Sequence, residues 1–168
     1  MSSYERDIQQ RLDRLRELCA RDGGKDGDSD GGRLDLLEAA LALSVLRSEA
    51  APDLAPFRQH VATMASDLAN LVHRRGASPE QLAEIIARSY GYRGDGDSYD
   101  DLQNADLVRV IERRKGLPVA LSILYLHVAR AQGWDAEGLA FPAHFLIRVG
   151  IDGARHVRSE ERRVGKEC

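Results

Sequence analysis

Apolar residues recur at intervals of three and four along most of the chain and change to strand-like runs only near its end. Ile8, Leu12, Leu15, Leu18 and Cys19 share one side of a charged segment, which predicts an amphipathic helix within residues 1–21. Residues 22–32, DGGKDGDSDGG, hold nothing to bury and read as a flexible linker. RLDLLEAALALSVLRSE, residues 33–49, is rich in strong helix formers and predicts a second helix that stops before Pro52. Asp53 is placed to cap a third, with Pro56 in its first turns, Phe57, Val61, Met64, Leu68, Leu71 and Val72 on its apolar face, and Gly76 at its end. Ser78-Pro79-Glu80-Gln81 then supplies a capping serine and a first-turn proline for a helix through Tyr90.

YGYRGDGDSYDD, residues 90–101, predicts a turn-rich loop, and Asn104 or Asp106 begins a short helix to about Arg114. Pro118 suits the first turn of the next helix, where Val119, Leu121, Ile123, Leu124, Leu126 and Val128 lie all around the axis and predict burial on all sides. Trp134 reads as a cover over the following turn. Residues 138–141 and 144–149 predict two strands, with Pro142-Ala143 between them or opening the second. The expected fold class is α+β, a helical N-terminal layer followed by a buried central helix packed on antiparallel strands.

Composition narrows the function classes. A chain of 168 residues with 43% hydrophobic residues suits one main domain. A formal net charge of -3 argues against a dedicated nucleic-acid surface. The first residues lack the basic and apolar regions of a secretion signal, and the run from Leu117 to Val128 is too short to span a bilayer, so no membrane partner is expected. The two cysteines, Cys19 and Cys168, have no zinc or disulfide spacing, which fits a reducing cytoplasm. Asp26, Asp28, Asp30 and Gly31 match half a calcium loop, but Leu37 stands where the bidentate glutamate belongs, and no metal or cofactor is expected.

LEAALALSVL, PDL, YGYRGDGDSYDDLQNADLVRVIERRKGLP, LSILYLHVARAQG and FPAHFLIRV follow one another in the order of a known family. Over residues 33–149 the chain resembles the SirB-type bacterial transglutaminase-like proteins. The resemblance implies one domain over 33–157 that lacks its further strand and C-terminal helical repeats. It also implies where chemistry would lie. In active transglutaminase-like enzymes a cysteine at the N-terminal end of the buried helix attacks a carbonyl, a strand histidine activates it, and an aspartate orients the histidine. The cysteine position falls on Pro118 and the histidine on His144, while Asp152 is too close to the break in resemblance to take the aspartate's role. Pro118, Ser122 and His144 therefore outline a degenerate site. The closing string RSEERRVGKEC, residues 158–168, resembles translated sequencing-adapter DNA, which implies native sequence ending near Val157 and an unpaired edge on the strand at 144–149.

The residues also have plainer readings. Ser122, one turn inside Pro118, is a substitute nucleophile or a serine that back-bonds to its own helix. His127 and Cys19 read as ordinary packed side chains, and His144 as a site-lining or structural histidine. The run from Glu112 to Lys115 is an anion-binding cluster or a solvated turn, and Asp95, Asp97, Asp100 and Asp101 are explained by turn formation. The expected function is a non-catalytic interaction or regulatory module with an unidentified protein partner, its binding surface built by 116–122 and 141–145. The alternative is a hydrolase or acyltransferase using Ser122 and His144 with an aspartate from beyond the chain. Oligomeric state is not set by the sequence.

Overall fold

The structure, a computed structural model, describes residue 13 and residues 35–47, 52–141, 144–151 and 153–159. The chain divides into two units, Met1–Asp53 and Leu54–Cys168. In the first, helix α1 spans Leu36–Arg47. Asp35 precedes it and accepts the Leu37 amide at 2.9 Å and the Glu38 amide at 3.2 Å, satisfying two of the donors a helix start leaves open. The helix expected within 1–21 lies outside the described residues apart from Asp13, which is helical. The linker, Cys19 and the half calcium loop lie outside them too.

The second unit begins with helix α2, Ala55–Arg75, whose Val61, Met64, Leu68 and Leu71 form a buried stripe. Its N-cap is Leu54 rather than Asp53, and no side chain caps it; Pro56 in the first turn removes one of the donors that would need a cap. Helix α3, Pro79–Ala83, starts at Ser78, whose hydroxyl accepts the Glu80 amide, and runs on into a π-helical turn, Glu84–Ser89. A two-residue strand β1, Arg93–Gly94, precedes a 3-10 turn at Leu102–Ala105. Helix α4 covers Leu107–Arg113 and is capped by Asp106, the second of the two candidate starts, while Asn104 sits in the 3-10 turn. Strand β2, Lys115–Gly116, pairs in parallel with β1.

Helix α5, Pro118–Arg130, is the centre of the unit. It packs against α2 on one side and against the sheet on the other, burying Leu121, Leu124 and Val128 almost completely. These covers do not close over its first turn, where Val119 is 48% exposed, so burial on all sides is corrected at that end. The sheet is a meander of β3 (Asp135–Phe141), β4 (His144–Ile151) and β5 (Ala154–Ser159). Ala136, Ile147, Val149 and Ile151 are buried, following the two-residue period of a half-buried strand. Between them, Glu137 and Arg148 are cross-strand neighbours joined by an ion pair.

The unpaired edge expected at 144–149 is corrected by β5, which pairs with β4 from Leu146↔Ser159 to Ile151↔Ala154. Gly153, immediately before β5, adopts φ 82°, a conformation glycine takes without steric cost.

Gly116 packs too closely for any side chain, since a Cβ there would stand 2.6 Å from Val110 Cγ2 and 3.1 Å from the Asn104 carbonyl oxygen. Gly116→Ala is expected to lower unfolding stability by about 1–3 kcal/mol in urea titrations through overpacking. Adding Val110→Ala should recover part of that loss, because the two positions share one contact.

Candidate functional site

The start of α5 is where the resemblance puts chemistry. Leu117 is the N-cap and offers no capping side chain, so the amides of the first turn depend on other partners. Its own amide donates to the Asn104 carbonyl at 2.8 Å, and Pro118 fills the first helical turn. Proline carries no nucleophile. Ser122 has no exposed surface, and its hydroxyl donates to the Pro118 carbonyl at 2.6 Å. That bond commits the serine proton to its own helix, and no solvent reaches the oxygen. His144 opens β4 in register with Phe141, on a strand that packs against α5. Asp152 lies outside the described residues. His127 is half-buried in the last turns of α5.

Three segments are fastened to this helix end by a buried polar network absent from the sequence reading. Asn104 has no exposed surface and donates to the Ser98 carbonyl at 2.6 Å while its Oδ1 accepts from Arg113 Nη1 at 3.1 Å. Arg113 Nη2 reaches Asp95 Oδ2 at 2.8 Å, and the Asp95 side chain is 1% exposed. Asp95 Oδ1 also accepts the amides of Asp97 and Ser98, each at 3.3 Å, which is the turn-forming role expected of the acidic loop. Lys115 lies 3.9 Å from Asp95 and 3.4 Å from Asp97. Burial on its own would raise the Asp95 pKa, but the Ser98 and Asp97 amides, Lys115 and Arg113 outweigh it, and the carboxyl sits below its ordinary 3.8.

The same segments also carry exposed apolar side chains. Tyr99 is 63% exposed and Leu102 is 68% exposed, and with Val119 they make three of the four large exposed hydrophobic side chains among the described residues. The Asn104 bonds tie the segment that carries Tyr99 and Leu102 to Leu117 at the start of α5, two residues before Val119. Asp97 and Asp100 are exposed in the same loop as Tyr99. Among the described residues, no group of three or more histidine, cysteine, aspartate or glutamate side chains is arranged to hold a metal ion, and no helix is long and apolar enough to cross a membrane.

A buried helix packed on an antiparallel meander is the arrangement expected of a transglutaminase-like core, and the sequence profile of the transglutaminase-like superfamily matches residues 55–162. The chain belongs to that superfamily. A UPF0162 protein of Vibrio cholerae is 32% identical over 133 residues, 77% of this chain and 49% of that protein. A UPF0162 protein of Xylella fastidiosa is 39% identical over 77 residues, 44% of this chain and 27% of its own. Mouse F-box only protein 21 is 40% identical over 65 residues, which cover 38% of this chain and 10% of that protein. The chain thus spans about half the length of the Vibrio cholerae relative and smaller shares of the others. No solved structure matches.

The sign of the Asp95 shift sets a pH dependence. A carboxyl held below its unfolded value stabilises the fold above pH 3.8, and that contribution disappears as pH falls through the lower folded value. In thermal melts Asp95→Asn is therefore expected to melt lower than the parent at neutral pH. The gap between the two should narrow as the pH drops below 3.8.

Proposed function

We propose that this chain is a non-catalytic, SirB-type transglutaminase-like domain acting as a protein-interaction or regulatory module in a bacterial cytoplasm. The observation that carries the reading is the state of the nucleophile position. Pro118 cannot attack a carbonyl, and the nearest hydroxyl along the helix, Ser122, is buried and bonded to Pro118. A serine nucleophile needs a base within hydrogen-bond reach and an open approach for the carbonyl carbon. Ser122 has its proton on a helix carbonyl and no approach from solvent.

The surface that remains at this end favours binding. Large apolar side chains held in the open, rimmed by polar groups, mark interaction sites on otherwise soluble folds. Tyr99, Leu102 and Val119 supply the apolar part, and the exposed Asp100 supplies negative charge in the same segment. The matching partner is a protein segment with apolar side chains flanked by lysine or arginine. The reading also takes the adapter-like string 158–168 as foreign to the domain, although β5 draws on Arg158 and Ser159; resequencing the locus tests that part.

An activity-based serine-hydrolase probe should leave the full-length protein unlabelled. Labelling that disappears in Ser122→Ala would replace this reading with the hydrolase. A photo-crosslinking residue placed at Val119 in the native cell is expected to capture one discrete protein, and Leu102→Asp should abolish that product while leaving the melting temperature within a few degrees.

A further inference from the structure

The basic run that precedes α5 does not act as one cluster. Arg113 and Lys115 turn to Asp95 and Asp97, while Arg114 between them goes elsewhere. Arg114 adopts φ 58° and ψ 22°, and it is the only non-glycine residue with positive φ among those described. A left-handed backbone costs an ordinary L-residue about 1–2 kcal/mol, so the surroundings must hold it there. The helix ends at this residue, and the reversal separates its side chain from those of its neighbours.

The guanidinium is received by a cluster from α2 and from the stretch after the π-helical turn. Nη1 donates to the Tyr92 hydroxyl at 2.8 Å and to His60 Nε2, and His60 Nε2 lies 3.1 Å from the same hydroxyl. The guanidinium carbon sits 4.9 Å from the centroid of the Tyr92 ring and 5.9 Å from that of Tyr90. Tyr90 in turn meets His60 edge-on at 5.3 Å and donates its hydroxyl to Asp67 at 2.6 Å. A guanidinium only donates, so His60 Nε2 accepts and the ring is neutral; burial and the nearby Arg114 charge lower its pKa in the same sense. Burial also raises the Tyr92 hydroxyl to about 12, despite Arg114, and keeps it protonated.

Arg114 is thus a half-buried cation whose hydrogen-bond partners are both neutral. The carboxylate of the cluster, Asp67, is engaged by Tyr90 and makes no ion pair with it. Among the described residues, no protein acceptor meets its Nε or Nη2, and neither atom is buried. That pair of N–H groups is the edge through which arginine takes two oxygens of one anion in parallel. A charge removed in part from water without a counter-charge is costly, and the strained backbone at the same residue adds to that cost.

We propose that Arg114, held by His60 and Tyr92, is a receptor for a single oxyanion group, a carboxylate or a phosphate, bound bidentately on its Nε–Nη2 edge. The flanking tyrosine rings fix the plane of the guanidinium, and His60 fixes its far end. The site shares no residue with the exposed surface around Val119 and stands whether or not that surface binds a partner.

The test follows the His60 ring signals of the 168-residue protein by NMR during separate titrations with inorganic phosphate and sodium acetate, with sodium chloride at matched ionic strength as control. At least one of the two anions should shift His60 saturably and raise its titration midpoint, because an anion on Arg114 offsets the charge that lowers it. Response to acetate assigns a carboxylate ligand, and response to phosphate alone assigns a phosphoryl group. Arg114→Lys keeps the charge without the fork and should weaken binding about tenfold. Arg114→Asn, which tolerates the left-handed backbone, should abolish it. Equal shifts with chloride, no saturable shift with either anion, or unchanged binding in Arg114→Lys would overturn the proposal.

Discussion

Asn104 has no exposed surface, yet each of its polar groups has a different destination: the amide nitrogen goes to the loop at Ser98, the amide oxygen to Arg113 at the end of α4, and the backbone carbonyl to Leu117 at the start of α5. A buried amide is tolerated only when its donors and acceptors are met, so these bonds either form together or leave an expensive gap. They fix where the central helix begins. The packing of Leu121, Leu124 and Val128 between α2 and the sheet follows from that placement. Gly116 belongs to the same constraint, since the chain reaches α5 only by passing against Val110 without a side chain.

Local signals carried much of the fold. Ser78-Pro79 marks the start of α3, Gly76 the end of α2, and Pro118 the first turn of α5, because each residue satisfies a backbone requirement that depends only on its near neighbours. The third strand is less legible, because its residues, ARHVRS, are mostly charged or polar and show little apolar alternation. Asp95 is a different case. Its sequence surroundings are glycine, serine and aspartate, which read as solvated turn, and its burial depends on an arginine 18 residues away. Long-range pairing of this kind leaves no periodic trace. The exposure of Val119 was hidden for the same reason, because periodicity reports how a helix is patterned and not how far its neighbours extend along it.

At the candidate site the sequence supplied the positions and the structure supplied their state. Pro118 and Ser122 fall one helical turn apart, as spacing requires, and a single short hydrogen bond joins them. The helix-on-sheet geometry rests on packing rather than on reacting atoms, so it does not depend on which residue opens α5. The polar residues in this part of the domain are mostly used for structure: Asp95 and Asn104 hold the loop and Arg113 closes the pair. Arg114 stands apart, because its conformation is strained and its outward edge lacks an acceptor among the described residues.

The short parallel pairing of β1 with β2 separates a fixed base from a free outer surface. Arg93↔Lys115 and Gly94↔Gly116 close the base of the intervening segment, and Asp95 and Asn104 fasten it from within. Its outer residues, Asp97, Tyr99, Asp100 and Leu102, are exposed and take no part in the core. Substitution there changes what the surface presents without disturbing the registration of α5. The exposed side chains of this segment can therefore vary while the folded interior stays the same.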